Sequence, residues 1–247
     1  MIPNKIFIVP YRNKPYFKSK FIEQMKIIME DYNDYEIFFS HQCDNRPFNR
    51  GAVKNIGFIS MKNKYPNDYK NITFIFNDVD TFPRDKNVIK NYKTTKGIVK
   101  HFYGFTFALG GFFSILGSDF EKTKGFSNFW GWGLEDNIMN DRCLSSGLKI
   151  DRSNFYKIYD KHIIHGTDSN VRLISLRDSV VYKYEDPDDM FSLRDIKYII
   201  NDNLINIKYF KCRMEETAQK YRKYKISNNK KFIVPRGYSR RIWDMRL

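Results

Sequence analysis

At 247 residues the chain has room for one well-buried α/β domain and too little for two of ordinary size. Lys and Arg number 43 against 28 Asp and Glu, and the formal charge of +15 favours anionic partners such as nucleotide-sugars, acidic glycans or nucleic acid. Three scattered cysteines without metal-site spacing and no apolar stretch of membrane-spanning length lead to the expectation of a soluble, cytoplasmic protein with reduced thiols.

Lys5 to Pro10 is a short apolar run stopped by proline, a buried first strand, followed by the polar turn Tyr11-Arg12-Asn13. Phe17, Phe21, Met25, Ile28 and Met29 recur at helical spacing, and Tyr35 to Ser40 reads as a second strand. Phe48-Asn49-Arg50 leads into a helix with Ala52, Val53, Ile56 and Ser60 on one face, and Ile72 to Phe76 is a third strand. This alternation predicts parallel crossovers and a nucleotide-binding α/β half in the first ~80 residues. Tyr103 to Leu116 reads as strand, Gly110-Gly111 break, strand, and Asp136 to Ser146 as a helix ended by Gly147. Lys161 to Gly166 is a strand or loop end. A single domain over residues 1–247 is expected, with a mobile polar loop at 167–189 and a basic tail at 220–247. Strand-like runs at 196–200 and 204–210 precede that tail.

Three constellations carry chemistry. Asp78-Val79-Asp80 follows the third strand directly, at the carboxyl end where open α/β sheets bind ligands. Two carboxylates so placed suit a divalent cation that neutralises a diphosphate, although a solvated turn before Pro83 gives the same pattern. His162 and His165 are two of only four histidines. With one Asp they offer an oxygen and two nitrogens to a transition metal, or they are simply unliganded. The segment Trp130-Gly131-Trp132-Gly133-Leu134-Glu135-Asp136 is the least ordinary. Its glycines allow indoles to stand as walls for sugar rings, and a carboxylate at the helix start can serve as general base. The competing reading is a helix cap beside core aromatics.

Taken in order, Pro10-Tyr11-Arg12-Asn13, Phe48-Asn49-Arg50-Gly51, Asp78-Val79-Asp80, Gly110-Gly111, the Trp-Gly segment and His162-Ile163-Ile164-His165 resemble the β-1,4-galactosyltransferase family, glycosyltransferase family 7. The resemblance spans roughly residues 5–170. It implies a GT-A fold with a mostly parallel sheet, a nucleotide-binding N-terminal half and an acceptor-binding C-terminal half. It further implies inverting transfer from a UDP-sugar to a glycan or glycoconjugate. By position, Pro10, Arg12, Phe48 and Arg50 would hold the nucleotide. Asp78, Val79, Gly110, Gly111 and Trp132 would complete the nucleotide-sugar site, with Trp132 also facing the acceptor. Trp130, Leu134 and Asn137 would bind the acceptor. Asp136 would be the base, with Glu135 orienting a sugar. Asp80, His162 and His165 would hold Mn²⁺, with Mg²⁺ possible.

The departures from the family pattern matter. His162 stands where animal members carry methionine, Ala108 where they carry a donor-pocket tyrosine, Leu134 in place of a third glycine and Asn137 in place of a third acid. The donor is therefore open between hexoses and N-acetylhexosamines. The animal enzymes' membrane anchor is absent from this sequence, and the Asn/Ile/Lys/Tyr-rich composition suggests a viral, protist or bacterial origin. A basic nucleic-acid-binding protein and an inactive lectin-like fold are the rival readings. The first explains none of the motifs, so no nucleic-acid partner is expected.

Overall fold

The computed structural model describes residues 2–166, 171–178, 181, 188–218 and 220–225. Strand β1 (Lys5–Tyr11) is buried along its whole length. Its alternate residues feed two cores, Ile6 and Ile8 on one face, Phe7 and Val9 on the other. A strand buried on both faces needs a continuous apolar run rather than an alternating one, which is why the sequence reads this way. Helix α1 (Pro15–Ile28) starts on a proline at its first turn and turns Phe21, Met25 and Ile28 inward. Strand β2 (Tyr35–Gln42) then pairs parallel to β1. Helix α2 (Arg50–Lys64) is capped by Asn49, whose side chain accepts from the Ala52 N–H at 2.9 Å. Strand β3 (Thr73–Asn77) lies parallel to β1 on its other side.

The later elements are β4 (Thr81–Pro83), β5 (Ile98–Gly104), β6 (Phe112–Leu116), α3 (Gly117–Lys122), α4 (Glu135–Ser145), β7 (Lys149–Asp151), β8 (Tyr156–Lys157), β9 (Ile163–His165), β10 (Val171–Ser175), β11 (Arg194–Asn201), β12 (Leu204–Lys211) and β13 (Tyr221–Lys225). The main sheet runs β11-β12-β2-β1-β3-β6-β5-β7, with β8 also on β5. Strand β6 is antiparallel to both neighbours, β3 and β5. Two small ribbons, β4–β9 and β10–β13, stand apart.

Several sequence readings shift. The Gly110-Gly111 break is the end of a loop over 105–111, and its first strand begins earlier, at Ile98. Gly111 has φ +68°, and a Cβ there would lie 2.5 Å from the Tyr103 carbonyl oxygen. The runs at 196–200 and 204–210 become the β11–β12 hairpin, and β12 extends the sheet parallel to β2. Of the expected loop at 167–189, residues 171–175 form β10, paired with β13. Positions 167–170, 179–180 and 182–187 lie outside the described residues, as do 226–247 of the expected tail. Among the described residues no helix is long and apolar enough to cross a membrane.

Candidate active site

The site forms where the carboxyl end of β3 meets the N-termini of α2 and α4. Arg50, the first residue of α2, is its centre. One guanidinium nitrogen meets both oxygens of Asp78, at 2.5 and 2.7 Å. The other reaches Glu135 Oε1 and Asp136 Oδ2, the latter at 2.7 Å. Burial works against the Arg50 charge, but Asp136, Asp78 and Glu135 outweigh it and raise its pKa well above the ordinary value. One helix turn on, Lys54 places Nζ 2.9 Å from Asp136 Oδ1. Burial pushes the Asp136 carboxyl up, yet Arg50 and Lys54 together hold it below the usual range. Glu135 goes the other way, raised by burial and then by the adjacent Asp136 charge. The two neighbouring acids are thus driven apart in acidity, a pattern that assigns different chemical roles to a carboxyl pair.

The loop over 105–111 closes one side of this cluster. Leu109 N–H donates to the Asp136 carbonyl at 2.9 Å, and Asp78 N–H to the Gly111 carbonyl at 2.9 Å. A Cβ on Gly110 would come within 2.7 Å of Asp136 Oδ2, so glycine is what lets the loop lie against that carboxylate. The loop is fastened from beneath by His101. Its Nε2 stands 3.0 Å from the Tyr103 carbonyl and 3.2 Å from that of Gly110, while Nδ1 accepts from Arg152 at 3.1 Å. Burial first, then Arg152, pushes this imidazole down to about 4, so near neutrality it is uncharged and structural.

The second edge of the site is the β4–β9 ribbon. Thr81 lies opposite His165, and its hydroxyl touches His165 Nδ1 at 3.0 Å and Asp80 Oδ1 at 3.4 Å. Asp80 Oδ2 accepts from Lys14 at 2.9 Å. The ribbon therefore brings Asp80 and His165 together. His162 is elsewhere: its Nδ1 is 2.8 Å from Asp160, and its ring leans on Tyr156. Among the described residues no three His, Cys, Asp or Glu side chains converge as a metal site.

The remaining expected residues divide into those at the cleft and those in the core. Pro10 is buried near the end of β1, and Arg12, just past that end, donates to the Asp44 carbonyl at 3.0 Å and to that of Arg46. Phe48 and Trp132 are half-buried, and Trp132 N–H donates to the Leu173 carbonyl at 2.7 Å. Asn137 is partly exposed on the first turn of α4. Three acceptor or donor assignments need correcting. Trp130 is 1% exposed, stacked 5.6 Å from Phe210 with its indole N–H on the Met214 carbonyl, so it is a core residue and no wall for a sugar. Leu134 is buried with Phe129, Ile138 and Val181. Val79 points into the core, which is what leaves its two aspartates at the surface of the turn. Ala108 is buried as well.

Lys54 and Lys14 escaped the sequence reading because a lysine on a helix or turn ordinarily marks a solvated face. One signal was present: Arg50 and Lys54 are like charges at i and i+4, which an isolated helix disfavours unless counter-charges face them.

Two family profiles match the chain in succession: one described as the N-terminal region of glycosyl transferase group 7 covers residues 3–93, and one described as the N-terminal domain of galactosyltransferase covers 92–166. Mouse β-1,4-galactosyltransferase 1 is 31% identical over 162 residues, which is 62% of this chain and 40% of that protein. The xylosylprotein 4-β-galactosyltransferase of Caenorhabditis elegans is 29% identical over 155 residues, 59% of this chain and 52% of that one. The chain thus spans about half or less of these relatives. The catalytic domain of Drosophila β-1,4-galactosyltransferase 7 in complex with xylobiose superposes with a TM-score of 0.63 at 20% identity, covering 84% of this chain and 94% of that domain. A mutant of that enzyme, in complex with manganese, UDP-Gal and xylobiose, gives 0.63 at 19% over the same shares. The architecture is the GT-A fold.

Proposed function

The chain belongs to glycosyltransferase group 7, and from that premise we propose that it transfers a hexose or N-acetylhexosamine from a UDP-sugar to a glycan or glycoconjugate hydroxyl, inverting the anomeric centre. The observation that carries this reading is Arg50, which joins the Asp78-Val79-Asp80 turn to the Glu135-Asp136 pair in one cluster. The nucleotide end and the acceptor end of the sheet are thereby fixed relative to each other, the condition for bringing two substrates into line.

In the proposed step Asp136 accepts the proton of the acceptor hydroxyl. The electron pair of that oxygen forms the new bond to the anomeric carbon, and the bond from that carbon to UDP breaks with its pair going to the diphosphate oxygen. Asp136 has a side chain 19% exposed, so it is reachable from the cleft, whereas Glu135 at 4% serves better to orient a sugar through Arg50. Half-buried Trp132 offers a flat apolar edge on which a sugar ring can rest.

Asp80 and His165 stand together and fit two positions of a divalent cation, and His162 joins them only by leaving Asp160. A carboxylate and imidazoles favour Mn²⁺, with Mg²⁺ as a weaker substitute, and such an ion supplies charge neutralisation for the departing diphosphate. Manganese and UDP-Gal in the Drosophila complex support the same chemistry here.

Asp136→Asn should keep UDP binding by calorimetry and lose transfer by about 10²–10⁴-fold. Turnover near that of the parent would remove Asp136 from the role of base. Thermal-shift measurements with UDP-Gal, UDP-GalNAc, UDP-GlcNAc and UDP-Glc, each with and without Mn²⁺, would identify the donor.

A further inference from the structure

Lys54 is the one charged side chain on the inner face of α2 beyond Arg50. It is 2% exposed, its Nζ lies 4.4 Å from the centre of the Phe126 ring, and its hydrogen bond is to Asp136 Oδ1. The neighbouring buried positions Ala52, Val53 and Ile56 are apolar, and packing alone would be satisfied by another such residue. Burying an ammonium is expensive unless a specific partner needs it.

The surroundings show what needs it. Arg50 and Lys54 bring two positive charges to three carboxylates: Asp78 from the end of β3, and Glu135 and Asp136 from α4. Without Lys54 one guanidinium would face all three. Glu135 and Asp136 would then compete for a proton, because adjacent buried carboxylates cannot both stay ionised at little cost. Lys54 also holds Oδ1 while Arg50 holds Oδ2, so the carboxylate plane is fixed from both sides.

We propose that Lys54 is a positioning residue of the transfer reaction: its buried ammonium clamps one oxygen of Asp136 and balances the Asp78–Glu135–Asp136 cluster, keeping that carboxylate free to accept the acceptor proton. The proposal rests on Asp136 being the base. His101, the remaining titratable group behind the loop, is common to parent and variants and cancels in a comparison between them.

The test is the pH dependence of kcat in parent, Lys54→Met and Lys54→Arg. The methionine variant keeps length and removes charge, and its acid limb should move up by about 1–2 pH units, with the donor KM within about two-fold of the parent. The arginine variant should restore the limb. Acid limbs that coincide in parent and Lys54→Met overturn the proposal, since a purely structural role lowers kcat or stability alike at every pH. Should Lys54→Met fail to fold, Lys54→Gln carries the same comparison. Carbon-13 NMR titration of the Asp136 carboxyl in the folded protein gives a readout independent of turnover. Its midpoint should rise in the neutral variants, and an unmoved midpoint sinks the role of Lys54. If Asp136→Asn stays active while the midpoint moves, the clamp stands and the base is a different residue.

Discussion

Two aspartates flank the Trp-Gly segment, and they are kept in opposite states. Asp136, on the cleft side, is ionised by design: Arg50 and Lys54 outweigh its burial. Asp178, on the side of the C-terminal elements, is 4% exposed, and burial lifts it to about 8. The Ser175 hydroxyl and the Trp130 N–H favour its charged form without prevailing, and Asp188 and Glu135 push it further up. Among the described residues one of its oxygens finds no hydrogen-bond partner. Burial alone says little about a carboxyl group. Two cations one helix turn apart hold a carboxyl in its charged form, whereas a hydroxyl and one amide leave a neutral clasp. The clasp holds the strand after β9 to the Trp-Gly segment, where Gly131 bridges Ile174 and Trp132 bonds Leu173.

The strongest way to break this contrast is to remove Arg50. Arg50→Met leaves Lys54 alone against three acids, so the Asp136 pKa should climb toward the behaviour of Asp178. Breaking a buried ionic cluster from one side costs about 3–5 kcal/mol. Denaturant unfolding should register that loss, with transfer abolished. A variant as stable as the parent would show that the cluster is solvated enough to rearrange without its centre.

Much of this arrangement was legible in the sequence. Apolar runs marked β1 as a buried strand and β3 as a third strand, and the Asp78-Val79-Asp80 and Glu135-Asp136 pairs were placed correctly at a strand end and a helix start. Pairing partners were not legible. Nothing local says that β12 lies parallel to β2, or that a three-residue strand such as β4 finds β9, because such contacts are chosen by the whole core. The same gap misassigned Trp130. Its indole reads like Trp132 until Phe210, eighty positions later, is seen to cover it. Lys54 was hidden for the converse reason: its charge argues for solvent, and only the acids across the cleft explain its burial.

A smaller effect sharpens the other half of the contrast. Because the folded-state pKa of Asp178 is raised, its contribution to stability is fully present below the unfolded value near 4 and is lost as pH rises through about 8. Asp178→Asn keeps a carbonyl acceptor for the Trp130 N–H and removes the titration. The variant should gain on the parent progressively across that window and melt about 5 °C or more higher at alkaline pH. Parallel melting curves for the two proteins across pH would mean that Asp178 is ionised in the folded state.

A substitution at Leu134 separates packing from charge within the segment itself. Leu134 has φ +75°, a left-handed conformation that costs a residue with a Cβ about 1–2 kcal/mol. Its side chain nonetheless stays, packed against Phe129, Ile138 and Val181, and burying a leucine is worth about 1.5–3 kcal/mol. The second term is the larger, so Leu134→Gly should relieve the strain and still lose about 1 kcal/mol in denaturant unfolding. The described residues packed with this side chain, Phe129, Ile138 and Val181, are apolar, and the loss should therefore be the same at every pH and leave the acid limb of kcat where it was. A loss that grows with pH would tie the packing of Leu134 to the Asp178 clasp, and one that moves the acid limb would tie it to Asp136; either would make the two sides of the segment one coupled unit.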